Sequence, residues 1–187
     1  DLIVIPMADS KLTRGTVNKM LGQVPVDIDS TAIGMGLAIQ DIEAIKLLVK
    51  SLLDRNVRVL LDASSLVKEI LPIIEGQNVI ATPHSGEFKR IFGEPVENEI
   101  NPRISLCEKF AKKHSITILL KGQEDIITNG DVTYTNSTLT PCMTVGGTGD
   151  VLSGLTAGFL SKNKNMIESA SAAIFVNGMA GQILQKE

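Results

Sequence analysis

The chain has 187 residues, 43% of them hydrophobic, and a formal net charge of −3, which suits one sizeable core in a single domain spanning residues 1–187. A pI near 5.5 offers no basic footprint for nucleic acid, and one Tyr, five Phe and no Trp leave little aromatic surface for stacking bases. No apolar run is long enough to cross a bilayer and the amino terminus lacks the basic flank of a signal peptide, so a soluble, cytoplasmic protein with no membrane partner is expected.

In chain order, Leu2-Ile3-Val4-Ile5 reads as a buried strand ended by Pro6. A polar segment carrying Lys11, Arg14 and Lys19 follows. Residues 24–29 then lead to Ala32-Ile33-Gly34-Met35-Gly36-Leu37, a short strand entering a glycine turn. Two glycines two apart admit a ligand close to the backbone, and equally serve to turn a strand into a helix. Residues 41–53 carry Ile42, Ile45, Leu48 and Leu52 at helical spacing, and Val57-Arg58-Val59-Leu60-Leu61 is a second strand ending at Asp62. A helix is expected over residues 65–74 and a third strand over residues 78–81. Alternating strands and helices imply a parallel sheet with crossover helices, in which ligands gather at the carboxyl ends of strands.

The loop after the third strand is Thr82-Pro83-His84-Ser85-Gly86-Glu87. Pro83 stops the strand and Gly86 lets a helix begin, with His84 and Glu87 polar and three apart. They are candidates for a site, or else a histidine bonded to a nearby carbonyl and a first-turn glutamate. Asn101-Pro102 starts a helix running to about Lys113, with His114 as a simple C-terminal cap. A fourth strand over residues 115–120 empties into Lys121-Gly122-Gln123-Glu124-Asp125, where Lys121 is placed to meet a phosphate or is a surface lysine. Asn129-Gly130-Asp131 signals a hairpin, so the sheet turns antiparallel at that edge.

Gly146-Gly147-Thr148-Gly149-Asp150 then opens a helix through Val151, Leu152, Ser153 and Gly154. Three glycines in four residues expose backbone N–H groups at a helix N-terminus, a geometry that holds an anion. A carboxylate there is repelled by phosphate unless it takes a proton or orients a metal, which reads as phosphoryl transfer. The alternative is an ordinary tight turn in which Asp150 caps the helix. That helix is expected to pack Gly154, Ala157 and Gly158 closely on the sheet. A last helix, over residues 165–185, is expected to face Ile167, Ala170, Ile174, Ala180 and Ile183 inwards, weakened by Gly178. Cys107 and Cys142 read as small buried hydrophobes.

Five of these runs together resemble the ADP/ATP-dependent NAD(P)H-hydrate dehydratases of the ribokinase-like superfamily. They are Gly34-Met35-Gly36-Leu37, Leu61-Asp62-Ala63-Ser64-Ser65-Leu66, Thr82 to Phe88, Leu120-Lys121-Gly122 and Gly146 to Gly154. The pattern departs at Met35 and Ser85, where the family has proline, at Ala38, where it has glycine, and at Ser64, where it has aspartate. The resemblance implies a three-layer α/β/α ribokinase-like fold, mainly parallel with an antiparallel edge hairpin and lacking its N-terminal third. It implies that ADP or ATP, with Mg²⁺, drives dehydration of (S)-NADHX or NADPHX to NADH or NADPH. Asp150 is implied as the catalytic base, and Gly36, His84 and Asp150 as substrate-binding. Lys121, Gly122, Gln123, Glu124, Asp125, Gly146, Gly147, Thr148 and Gly149 are implied at the nucleotide, and Glu87 at the metal through water. A homo-oligomer or a chain supplying the missing strands, and an epimerase partner domain, are further expectations. The competing readings are a thiazole- or hydroxymethylpyrimidine-type kinase of the same superfamily, and a nucleotide-binding fragment without catalysis.

Overall fold

The structure, a computed structural model, describes residues 4, 6–7, 11–138 and 140–186. Six strands form one sheet in the order β1 (Ser30–Ile33), β2 (Arg58–Leu61), β3 (Val79–Ala81), β4 (Thr117–Leu120), β5 (Asp125–Thr128) and β6 (Thr133–Asn136). The first four run parallel, and β4, β5 and β6 are antiparallel. The continuously apolar strands are buried on both faces, as crossover helices require. Val59 and Leu61 enter one core and Leu60 the other, and β3 and β4 divide in the same way.

Against the first face pack α1 (Arg14–Gln23), α2 (Ile42–Leu53), the single-turn α3 (Leu71–Ile74), α4 (Ser85–Phe92) and α5 (Ile100–His114). Against the second pack α6 (Thr148–Lys162) and α7 (Met166–Leu184). The amphipathic period of α2 places Ala44, Ile45, Leu48, Val49 and Leu52 in the core, and Asp41 caps its first turn through Glu43 N–H. In the hairpin, the Asn129 side chain accepts from Asp131 and Val132 N–H while Gly130 takes φ +92°.

Several expectations change. The polar segment around Arg14 is α1, capped by the Thr13 hydroxyl at Thr16 N–H. The strand expected over residues 2–5 lies outside the described residues except for Val4, which is exposed and not in a strand. No continuous helix forms over residues 65–74. Two 3₁₀ turns, Ala63–Ser65 and Lys68–Ile70, precede α3, because the Ser65 hydroxyl sits 2.8 Å from both the Ile33 and Asp62 carbonyl oxygens and pins the chain to the strand ends. Pro72 in the first turn of α3 further restricts its approach.

On α6, Gly154 and Gly158 are exposed and do not touch the sheet; Leu152, Ser153, Thr156 and Leu160 face inwards. On α7, Ala180 and Ile183 are exposed, as are Phe175, Val176, Met179 and Leu184. Gly178 is buried because a Cβ there would overlap the Thr138 side chain, so the glycine admits the segment after β6 to the helix surface. Cys107 is buried, and burial pushes its thiol up to about 12, so it is inert at neutral pH. The side chain of Cys142 lies outside the description.

His114 is more than a cap. It ends α5 with its ring stacked on Phe110 and Phe92, and Ser115 in the left-handed region terminates the helix. Its Nδ1 has no hydrogen-bond partner among the described residues, and Glu75 stays 3.8 Å away. Burial, reinforced by Lys113, holds its pKa below the usual 6.5, against the opposing pull of Glu75. The unfolded chain therefore binds a proton before the folded one, and stability is lost as pH falls below about 6.5. In His114→Phe this component should vanish, and urea melts between pH 7 and pH 5 should diverge from wild type. Parallel stability profiles would refute a buried neutral imidazole.

Candidate active site

The residues that gather at the carboxyl ends of the strands come from four separate stretches. Gly34 follows β1, Asp62 follows β2, the Thr82–His84 segment follows β3 and Lys121 follows β4. The bridge between His84 and Lys121, with Lys121 N–H donating to the Pro83 carbonyl at 2.8 Å, sews the third and fourth loops together.

His84 is the N-cap of α4. Its Nδ1 accepts from Gly86 and Glu87 N–H at 3.0 and 3.3 Å, and Glu87 Oε2 accepts from His84 N–H at 2.9 Å, a reciprocal capping box. With Nδ1 an acceptor, the neutral ring carries its proton on Nε2. That atom lies 3.5 Å from Glu87 Oε1, and the His84 side chain is 59% exposed while that of Glu87 is 11% exposed.

Lys121 binds two carboxylates from below. Its Nζ donates to Asp62 Oδ1 at 2.7 Å and stands 3.7 Å from Glu87 Oε2. The other Asp62 oxygen accepts from Ser153 Oγ on α6 at 2.8 Å. Asp62 is 2% exposed, so the pair is screened little by solvent, and removing one member would strand a buried charge. Asp125, 1% exposed, accepts from Gly122 N–H at 3.0 Å and from the Asn136 amide at 3.1 Å. Burial raises its carboxyl to about 6, and Gly122, Asn136, Arg103 and Lys121 offset part of that shift.

The glycine turn meets this group from the second face. Gly147 is the N-cap of α6 at φ +95°, a left-handed conformation costly for other residues. The Thr148 hydroxyl closes the turn on the Met143 and Val145 carbonyls, both at 3.0 Å. Gly149 borders Lys121: a Cβ at Gly149 would lie 3.9 Å from Nζ. The positive end of the α6 dipole and the ammonium are thus adjacent, and together they suit an anion.

Two cavities open here. One, of about 630 Å³, is lined by His84, Lys121, Gly122, Gln123, Thr140, Pro141, Met143 and Thr144. The other, of about 430 Å³, shares His84, Lys121, Gly122, Met143 and Thr144 and adds Asp125, Val145, Thr148, Gly149, Leu152, Ile174 and Asn177. Asp150, the residue after Gly149, is exposed in the first turn of α6. Its carboxylate has no hydrogen bond or ion pair with any described residue, so it is not the helix cap.

Of the residues singled out in the sequence, His84, Lys121, Gly122, Gln123, Asp125, Thr148 and Gly149 line these cavities. Glu87 lies beneath them, and Gly146 and Gly147 form the exposed turn. Asp150, Gly36 and Glu124 line neither cavity. Gly36 takes φ +62° in open space, and the Glu124 carbonyl accepts from Arg103 at 3.1 Å. Ser153, Arg103 and Asn136 escaped sequence reasoning. Nothing in their local pattern distinguishes them from surface polar residues; burial alone sets them apart.

The donor set fits an anion such as a phosphate group better than it fits a bare metal ion. Among the described residues no group of three His, Cys, Asp or Glu side chains is arranged to hold one, and Glu87 is already engaged by His84 and Lys121. Among the described residues, no helix is long and apolar enough to cross a membrane.

Comparison with known proteins identifies the family and the fold. The model of a carbohydrate-kinase-type family described as NAD(P)H-hydrate dehydratase matches residues 9–187. An ADP-dependent (S)-NAD(P)H-hydrate dehydratase of Nitrosopumilus maritimus is 59% identical over 187 residues, covering 100% of this chain and 65% of that protein. Its counterpart in Cenarchaeum symbiosum is 54% identical over 99% of this chain and 64% of that protein. The chain therefore spans just under two thirds of the length of these relatives. A bifunctional NAD(P)H-hydrate repair enzyme of Pyrobaculum aerophilum is 38% identical, with 97% of this chain and 36% of that protein aligned. Among solved structures, the ADP/ATP-dependent NAD(P)H-hydrate dehydratase of Bacillus subtilis, co-crystallised with ATP and Mg²⁺ and soaked with CoA, superposes with a TM-score of 0.70. That match has 26% identity and covers 87% of this chain and 62% of that one. The hydroxyethylthiazole kinase of Pyrococcus horikoshii shares the fold at a TM-score of 0.71 and 17% identity, over 91% of this chain and 68% of that one.

Proposed function

The chain belongs to the NAD(P)H-hydrate dehydratase family, which has the ribokinase-like fold, and from that membership we propose that it dehydrates (S)-NADHX or NADPHX in a reaction driven by ADP or ATP. The observation that carries the reading is that the exposed Asp150 carboxylate, bonded to no other described residue, directly follows Gly149, which lines a cavity and borders Lys121. A free carboxylate next to an anion cradle suits removal of a hydroxyl proton during phosphoryl transfer.

Hydroxide is a poor leaving group, so the C6 hydroxyl is first converted into a phosphate ester. Asp150 takes the hydroxyl proton as the oxygen attacks the terminal phosphorus, the bond from phosphorus to the bridging oxygen breaks, and the shortened nucleotide leaves. The N–H groups of Gly147, Thr148 and Gly149, with the Lys121 ammonium, offset the charge on the transferring group. The ring nitrogen's lone pair then expels inorganic phosphate from C6. Loss of a proton from C5 restores the double bond of the reduced nicotinamide. His84, 59% exposed at the cavity, would hold the hydrate through its Nε2 proton, with Gly36 on the approach. Lys121, Gly122, Gln123, Glu124, Asp125 and Gly146 would line the nucleotide's path. A divalent cation on the nucleotide phosphates would supply further charge neutralisation, with Glu87 reaching it through water.

The test is incubation with (S)-NADHX and ADP or ATP while following the return of reduced-nicotinamide absorbance. Recovery that requires the nucleotide is expected. Phosphorylation of a hydroxyethylthiazole with no action on the hydrate would assign the chain to the kinases instead. We place the reaction in the cytoplasm with an epimerase as the companion activity; an oligomer is a further part of this reading, checked by light scattering.

A further inference from the structure

Asp125 is chemically out of place among nucleotide-contacting residues, since a carboxylate repels phosphate and both of its oxygens are already bonded. Oδ1 accepts from Gly122 N–H, and Oδ2 accepts from the Asn136 amide. The relay continues: Asn136 Oδ1 accepts from the Thr138 hydroxyl at 2.9 Å, and the Thr138 carbonyl accepts from Gln182 Nε2 on α7 at 3.1 Å. Gly178 leaves space on α7 for the Thr138 side chain. This line of bonds runs from the turn that borders both cavities to the helix behind the glycine turn.

We propose that Asp125, although it lines the second cavity, serves the nucleotide as a positioning residue, through the groups its two oxygens bond. Through Gly122 on one side and Asn136 on the other it holds the Lys121–Gly122 turn against β6 and α7. This rests on the dehydratase reading for the identity of the nucleotide, though not for the geometry. The charged groups facing Asp125 are Arg103 from α5 and Lys121 from the end of β4. On β6 it bonds the neutral amide of Asn136, and α7 brings the neutral amide of Asn177 to the same cavity. Protonation turns one acceptor oxygen into a donor aimed at an N–H, so the turn loosens as pH falls through about 6.

Asp125→Asn provides the test. Its amide can satisfy Gly122 or Asn136 in turn, but its NH₂ then faces the Asn136 NH₂. The nucleotide KM is expected to rise about tenfold, the loss of one charge-assisted hydrogen bond, with a smaller change in kcat. In the double variant Asp125→Asn, Asn136→Asp the pattern is complementary again: the amide now at position 125 accepts from Gly122 N–H and donates to the carboxylate now at position 136, which still accepts from Thr138. Recovery of most of the lost affinity is expected. Nucleotide Kd, measured by calorimetric titration without turnover, should follow the same order, and should weaken more steeply between pH 7 and pH 5 in wild type than in Asp125→Asn, where only the protonation of the nucleotide's own phosphate remains. If the wild type proves inactive on the hydrate yet these Kd values keep that order, the dehydratase assignment fails and the positioning role stands. An unchanged Kd in the single variant, or a double variant no better than the single, overturns the role.

Discussion

Asp150→Ala should lower kcat by a factor of roughly 10² to 10⁴, the usual contribution of a positioned general base, while the nucleotide Kd moves by less than about threefold. The asymmetry follows from the surroundings of the side chain. Asp150 is exposed in the first turn of α6 and bonds no described residue, so its removal leaves no orphaned donor. The loss to helix stability is the small dipole interaction of one exposed carboxylate, about 0.3–1 kcal/mol. The anion cradle is made by backbone N–H groups and Lys121, which the substitution does not touch. Steady-state kinetics beside a direct titration with ADP will separate the two quantities. Turnover near the wild-type value in this variant would eliminate the base and the phosphoryl-transfer reading with it.

The second large effect is structural. Gly34→Ala should destabilise the fold by roughly 3–5 kcal/mol. Gly34 sits at φ +124°, and a Cβ there would overlap the Asp62 backbone carbonyl and crowd the Ser65 hydroxyl. Neither neighbour can yield easily. Ser65 is buried and bonded to the ends of two strands, and the Ser64 hydroxyl donates to the Gly34 carbonyl at 2.7 Å. Asp62 holds Lys121 at the site, so the strain should also weaken nucleotide binding in whatever fraction remains folded. Urea denaturation read by circular dichroism is the measurement, and a loss below about 1 kcal/mol would contradict the close packing described for this loop.

Several site features were legible in the residues themselves. Thr82 to Glu87 showed a helix start with His84 and Glu87 three apart, and the structure joins the two in a capping box, with His84 Nδ1 accepting from backbone N–H groups where a bond to a nearby carbonyl was the alternative expected. Gly147 heads α6 as the glycine spacing required. Gly34 and Gly178 show the limit of this kind of reading: a glycine reveals that something approaches closely, but not what. At Gly34 it is the Asp62 carbonyl, and at Gly178 the Thr138 side chain, 28 and 40 positions away along the chain. The expected inward face of α7 failed at Ala180 and Ile183 because helical period sets which residues share a face. It does not set where along the helix the sheet stops covering that face.

What the chain determined alone was local: most strands and helices, though neither α1 nor the 3₁₀ turns over residues 63–70, the parallel-to-antiparallel change at the hairpin, and the family through five short runs. Those features depend on neighbours within a few residues, whose sterics and hydrogen bonding are written in the order of the amino acids. The tertiary structure decided which polar groups became buried partners. The Asp62–Lys121–Ser153 cluster and the Asp125 relay join residues from different strands and helices. Their strength comes from exclusion of water, a condition that exists only once both layers of helices have closed on the sheet.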